Sequence, residues 1–534
     1  PTDNYAVLSP LASNSFVPMN GNLDIQGNTS WRGSIATIQF PSSGKYYYEI
    51  NAVQVAQRLV GGLVPIELGI VTSPWQNTIG FVGFASDASA GHVQENLSSS
   101  NQLYSQAGTS ASIDVISFAV DCDTGNVWFG RNGVFYADNG TTTTSPEAGT
   151  NPTFSGLNIT DYFAGAQCYD SNVKTEINFG QKDFAHTPPT GFKALSTKNL
   201  PDATVVPSDS FSAVLYDGNG ATQDITGVGF KPDWVWTKGR SYTSSGAIYD
   251  SVRGVTERLV PTNTTYEVVT TGVTSFNSDG FTVGSHSDSN YANNTLVAWN
   301  WKAGGVAVTN NNGTIESQVS ANPEAGFSVV TYTGVGGGDK TVGHGLSSAP
   351  QMLITKTLNN TYEWKVWHTG LPSGNALILN STAPQNSDPS TFTTTTPTST
   401  VFSVGTNVAI NQATARYVAY CFAEVEGYSK FGTYIGNQNT NGPFIYTGFK
   451  PAFIMVKGST VASSWTMWDN KRPSYNVTDL ALLAENTVAE QVGAYAIDTL
   501  ANGFKLRNLS ENDGSQTFIY MAFAEQPFKN ANAS

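Results

Sequence analysis

Three stretches of the chain start on a proline and reach a lysine six residues later. They are Pro232 to Lys238 (PDWVWTK), Pro350 to Lys356 (PQMLITK) and Pro451 to Lys457 (PAFIMVK). Each is rich in apolar, aromatic or β-branched residues and reads as a strand. The proline stands at the strand start, where a missing N–H is harmless. Further marks recur around it in the same order. An aromatic lies 17 residues past each proline (Tyr249, Trp367, Trp468). Apolar strands begin at Phe281, Phe402 and Phe504, and closing strands centre on Val297–Trp301, Val418–Phe422 and Ile519–Phe523. Upstream, Tyr216, Tyr332 and Tyr434 stand two residues before Gly218, Gly334 and Gly436. Such a recurrence predicts three copies of one domain. Their spacing of roughly 100–120 residues is too long for a solenoid unit of about 20–50 and long enough for a separate core in each copy. The expected boundaries are 201–305, 325–427 and 428–534. Residues 306–324 read as a Gly/Asn/Ser-containing linker, whereas copies two and three abut at Gly427. Each copy reads as an antiparallel β-sandwich, its short strands punctuated by Gly, Asn, Asp and Pro.

Residues 1–200 differ. The segment Ile116–Tyr136 (ISFAVDCDTGNVWFGRNGVFY) alternates at Ile116, Phe118 and Val120, then turns through Asp121–Asn126. Val127, Trp128 and Phe129 restart the sheet, and Asn132-Gly133 is the strongest short hairpin signal. Gly44–Ile50, Glu67–Val71, Gly80–Ala85, Tyr162–Tyr169 and Thr175–Gly180 read as further strands. The expected class is therefore all-β throughout. Composition agrees: only 12% of residues are charged, about half the usual share, and 52 Gly and 24 Pro are poor material for helices. Extracellular and virion-surface β-proteins share such a composition.

The net charge of −14 and the scattering of Lys and Arg argue against nucleic acid and anionic membranes as partners. No apolar run approaches the roughly 18–20 residues that span a bilayer, so no membrane insertion is expected. No signal peptide is read at the start. The chain opens on Pro1, as after removal of an initiator Met, although a trimmed chain would open the same way. Cys122, Cys168 and Cys421 are too few and too irregular for a disulfide framework or a zinc site. Pairing of Cys122 with Cys168 stays open beside buried free thiols, and synthesis in the cytoplasm is expected.

The residues give no positive sign of catalysis. His92, His186, His286, His344 and His368 fall in no metal-ligand spacing, and no nucleophile elbow or phosphate loop occurs. Gly334–Gly338 is glycine-rich, but no helix follows to cradle phosphate. Asp121–Asn126 spaces oxygen ligands like part of a calcium loop but lacks the distal bidentate Glu, so a turn is expected. Glu424 and Glu426 share a strand face with a counterpart in Glu525, which suggests an architectural role. No cofactor, metal or catalytic residue is expected. Trp75, Trp364, Trp367, Trp465 and Trp468 stand at strand ends and in loops, where exposed rings could stack on sugars. The Trp-x-x-Trp pair of copies two and three is Gly246 and Tyr249 in copy one. Its fixed place in the repeat favours core packing over sugar binding.

In order, GKYYYEI, LGIVTS, GFVGFAS, ISFAVDCDTGNVWFGRNGVFY, YFAGAQCYDS and TEINFG resemble the SPRY domain over roughly residues 1–197. The resemblance implies a twisted two-sheet β-sandwich whose loops bind proteins. The extra strand block that precedes SPRY in many eukaryotic members is not evident, so family-typical peptide partners do not carry over. NNTLVAWNWKAGG, ANPEAGFSVVTYTG, TVGHGL, YVAYCFAEVEG and GPFIYTGFKPAFIMVK resemble a repeated module of marine bacteriophage tail-fibre-like structural proteins. Together these imply a virion-surface protein, first a tail-fibre-like adhesin recognising a host surface glycan or protein beside other virion proteins. Capsid decoration or a head fibre is the alternative, and a glycan depolymerase a third reading. Assembly as a homotrimer stays open.

Overall fold

The computed structural model describes residues 3–13, 18–54, 59–65, 82–86, 90–95, 98–105, 115–138, 141–169, 171, 173–473 and 475–530. The chain divides into two compact units, Pro1–Asp202 and Ala203–Ser534. Both are built almost wholly from β-strands in antiparallel sheets, so the all-β sandwich-like architecture expected from the sequence holds.

The first unit has two seven-stranded sheets. One runs in the order Leu8–Ser13, Arg32–Gln39, Tyr162–Cys168, Leu59–Pro65, Val82–Ser86, Ala90–Glu95, Ser98–Ser105. The other places Lys45–Gln54 between Val115–Asp121 and Lys174–Asn178, with Asn126–Arg131 and Val134–Tyr136 following outward. Asn132 and Gly133 have φ of 48° and 81°. Two consecutive positive values make the tight hairpin that the Asn-Gly pair predicts. The strand KYYYEI alternates across its sheet. Tyr48 stacks on Phe118 at 5.0 Å, while Tyr47 packs on the other face with Trp128 and Phe192. The returning segment thus covers that second face, and all three tyrosines Tyr46, Tyr47 and Tyr48 are buried. The expected strand Glu67–Val71, part of Gly80–Ala85, and Trp75 lie outside the described residues.

The second unit holds the three repeats, and each contributes the same four-strand order. It runs Phe211–Asp217, Thr295–Trp301, Trp234–Gly239, Ala247–Asp250 in repeat 1. The counterparts are Phe327–Thr333, Arg416–Phe422, Met352–Thr357, Lys365–His368 and Ser429–Ile435, Thr517–Pro527, Phe449–Gly458, Thr466–Asp469. Every residue of Trp234–Gly239 and Met352–Thr357 is buried. Side chains alternate between two cores, as the strand period of two requires. Val235 and Ala298, Leu353 and Ala419, and Ile454 and Ala522 turn into a separate core within each repeat. Trp234, Trp236 and Trp299, Met352, Ile354 and Tyr420, and Phe453, Met455 and Met521 turn the other way into one core common to all three repeats.

Beside the separate core expected of each copy, the three repeats share this common core and are fused into one unit. Residues 306–324 are also no linker. Val308–Asn310 and Ser317–Asn322 are strands that extend the sheet of repeat 2.

Candidate functional site

The recurrent lysine marks the seam between one repeat and the next. Lys238, Lys356 and Lys457 are fully buried. Each ammonium donates to a carbonyl six residues on in its own repeat: Ser244, Tyr362 and Ser463. Each also donates to a carbonyl of another repeat, Lys238 to Asn486, Lys356 to Thr264 and Lys457 to Thr382. The order is cyclic: repeat 1 reaches repeat 3, repeat 2 reaches repeat 1, and repeat 3 reaches repeat 2. Two residues past each lysine, the backbone answers in kind. The carbonyls of Arg240, Leu358 and Ser459 accept from the N–H of Glu490, Glu267 and Gln385 at 2.8, 3.1 and 2.8 Å. Burial pulls all three lysines down to about 8, yet each keeps oxygen partners, as buried charge requires.

A second recurrent cluster holds one end of each repeat. Tyr216, Tyr332 and Tyr434 donate to the carbonyls of Ser289, Ile410 and Glu511 at 2.8, 2.8 and 2.7 Å. The next residue is in each case a fully buried asparagine, Asn290, Asn411 or Asn512. Its Oδ1 accepts from the loop after the tyrosine strand, from Asn219, Val335 and Asn437. Its Nδ2 donates to Gly284, Gly405 or Asn439. This closes the two segments so tightly that a Cβ on Gly218, Gly334 or Gly436 would stand 2.2, 2.3 or 2.1 Å from a backbone oxygen. The tyrosine and glycine were visible as a repeat; the asparagines were missed. They sit in unlike surroundings (SNYANN, INQATA, ENDGSQ) and align only once the tyrosine partner is known.

The four described tryptophans proposed as sugar platforms are interior. Trp364, Trp367, Trp465 and Trp468 are 0%, 9%, 1% and 1% exposed. Trp364 and Trp465 lie in the common core and donate across seams to Val260 and Ile378, both at 2.9 Å. Trp367 and Trp468 belong to the cores of their own repeats. A stacking platform needs an open ring face, and these rings present none. Where repeat 1 has Gly246, Trp236 replaces Ile354 and Met455 on the adjacent strand. A Cβ at Gly246 would lie 3.6 Å from the Trp236 indole nitrogen, so the large ring enters from the other strand. Among the described residues the most exposed aromatic rings are tyrosines: Tyr266, Tyr291 and Tyr475 are 47%, 48% and 87% exposed.

In the first unit an open cleft of about 400 Å³ lies between Cys122–Gly125 and Gly156–Thr160. Asp123 in its lining and Asp121 beside it hold the turn. Asp121 pairs with Lys45 at 3.0 Å, and Asp123 accepts from the Gly44 N–H at 3.0 Å. Among the described residues no three His, Cys, Asp or Glu side chains converge as for a metal. No disulfide joins Cys122 to Cys168, and burial raises the thiols of Cys168 and Cys421 to about 12. Glu424 and Glu525 pair with Lys430 and Lys450 at 2.6 and 3.4 Å. Among the described residues no helix is long and apolar enough to cross a membrane.

Among solved structures, the SPRY domain of human HERC1 matches at 16% identity, with 33% of this chain and 99% of that one covered and a TM-score of 0.23. The TRIM65 PSpry domain matches at 10% identity, covering 33% and 92%, with a TM-score of 0.22. A human SPRY domain matches at 13%, covering 34% and 98%, with a TM-score of 0.20. Likeness at this level transfers neither partner nor activity. No curated protein matches the chain. The family model described as "Domain of unknown function (DUF7483)" matches residues 206–527, which takes in all three repeats and their shared core. The chain belongs to the DUF7483 family.

Proposed function

We propose that this is a non-catalytic virion structural protein, a tail-fibre-like adhesin in which the fused repeats form a rigid scaffold. The observation that supports this best is where the buried polar groups of the second unit go. The three lysines, the three asparagines and the seam carboxylates described below join strand to strand and repeat to repeat. A body tied in this way suits display and mechanical support. On the sequence resemblance, the loops of the SPRY-like first unit bind other proteins. With Trp364, Trp367, Trp465 and Trp468 buried, recognition of a host surface glycan or protein passes to exposed rings such as Tyr266, Tyr291 and Tyr475.

Immunogold labelling or cryo-EM of the intact particle tests this reading, together with host-cell binding by the purified chain and by Tyr291→Ala and Tyr475→Ala. Label at fibre tips and weakened binding by either variant are expected. Label spread over the capsid shell would replace the adhesin with a head decoration protein.

A further inference from the structure

The seams share a backbone plan but not their side chains, and the differences move together. At the 1/2 seam, Asp250 accepts from Tyr420 Oη of the next repeat at 2.8 Å. Arg253 holds that carboxylate and bridges to Glu267 at 3.1 Å. At the 3/1 seam, Asp469 accepts from Trp299 Nε1 at 2.9 Å. Arg472 holds it at 2.7 Å and bridges to Glu490 at 3.2 Å. A second arginine from the neighbouring repeat reaches each glutamate, Arg416 to Glu267 at 3.4 Å and Arg240 to Glu490 at 2.9 Å.

At the 2/3 seam every charged member is replaced. The position of Asp250 and Asp469 is His368, that of the arginines is Leu371, and that of the glutamates is Gln385. Facing them, Tyr420 and Trp299 give way to Met521, which has no proton to donate. His368 keeps the local bond, accepting at Nδ1 from Gly370 N–H at 3.0 Å, as Asp250 and Asp469 do from Val252 and Lys471. Its Nε2–H is therefore free to donate, and it does so to the Tyr520 carbonyl at 3.1 Å. The side chain at this position matches what the neighbour offers: a carboxylate against a donor, a donor against a carbonyl.

We infer that these four positions form a recognition code between repeats, which gives each face one partner in the ring. Two seams carry the charged version and one the neutral version. A repeat placed out of order would bury a carboxylate against Met521, or an imidazole against a phenol or indole. Either error leaves a polar group unpaired in the interior, the costly half of hydrogen-bond energetics. The faces recognised are those of the repeats themselves, so the surface is one of self-assembly, closed within a single chain.

The test is thermodynamic coupling in the full-length chain, read as urea midpoints of the second unit. Asp250→His, Arg253→Leu, Glu267→Gln and Tyr420→Met are made singly and together, the last giving the 1/2 seam the residues of the 2/3 seam. The combined variant is expected to recover at least half of the summed midpoint loss of the singles. Should a single variant fail to fold, Asp250→Asn, Tyr420→Phe and their double replace the set, with the double costing less than the sum. In the reverse graft, His368→Asp, Leu371→Arg and Gln385→Glu lower the midpoint, and adding Met521→Tyr restores part of it. Losses that add within error in these sets would overturn the code.

Discussion

Trp301 offers the sharpest mutational probe of the shared core. Its ring lies 4.8 Å from Phe211 and 4.5 Å from Trp234 in its own repeat, 6.5 Å from Phe422 of repeat 2, and 5.6 and 5.5 Å from Phe453 and Phe523 of repeat 3. It is 1% exposed. Trp301→Ala removes this ring from a close-packed site that cannot collapse around it. Large aromatic-to-alanine changes in cores cost about 3–5 kcal/mol. No hydrogen bond adds to that loss, because the Trp301 indole nitrogen is buried without an acceptor. Trp301→Phe keeps a ring in the cluster and deletes the orphan N–H, whose burial costs about 1–3 kcal/mol. That offsets much of the lost volume, so this variant should stay within about 1.5 kcal/mol of the parent. The assay is urea-dependent hydrogen exchange resolved by peptide. In Trp301→Ala, peptides over Met352–Thr357 and Phe449–Gly458 should lose as much opening free energy as Trp234–Gly239. Loss confined to repeat 1 would refute the shared core.

Glu511 is buried, and burial raises its carboxyl to about 7. The folded state then holds a proton that the unfolded chain releases near its ordinary value. Stability from this group is present below about pH 4.5 and lost as pH rises through about 7. Glu511→Gln should therefore match the parent at pH 4.5 and exceed it at pH 8 by up to about 3 kcal/mol, read from urea midpoints across pH. Gly436→Ala places a Cβ where Asp513 O stands 2.1 Å away, and a loss of about 1–3 kcal/mol should appear in thermal unfolding. Lys356→Met leaves the Thr264 and Tyr362 carbonyls without the ammonium; a loss of about 1–3 kcal/mol is expected in urea titration at pH 7.

The repeat, its strand content and the hairpin at Asn132-Gly133 could be read from residues alone, because turn chemistry and alternation are local. Whether a strand is covered on one face or two is not local. PQMLITK looks the same in either case, and only the place of Ile354 in the core common to all three repeats decides it. The lysine ending each strand is visible only as an anchor of the repeat, because one of the two carbonyls that hold it lies far away in sequence, as Asn486 does from Lys238. Residues 306–324 read as linker from their Gly, Asn and Ser content, whereas Ser317–Asn322 owes its strand form to pairing with Phe327–Thr333. The fixed place of the Trp-x-x-Trp pair in the repeat already favours core packing over sugar binding, but does not say which core each ring enters. Trp364 and Trp465 end against the neighbouring repeat.

The most direct test of the fused unit is native-state hydrogen exchange on the unmodified chain under rising urea. Peptides over Trp234–Gly239, Met352–Thr357 and Phe449–Gly458 report one central strand from each repeat. A single cooperative body predicts that their opening free energies converge on one value with one urea dependence. Three separate values, each with the smaller urea dependence of a domain of about 100 residues, would contradict it.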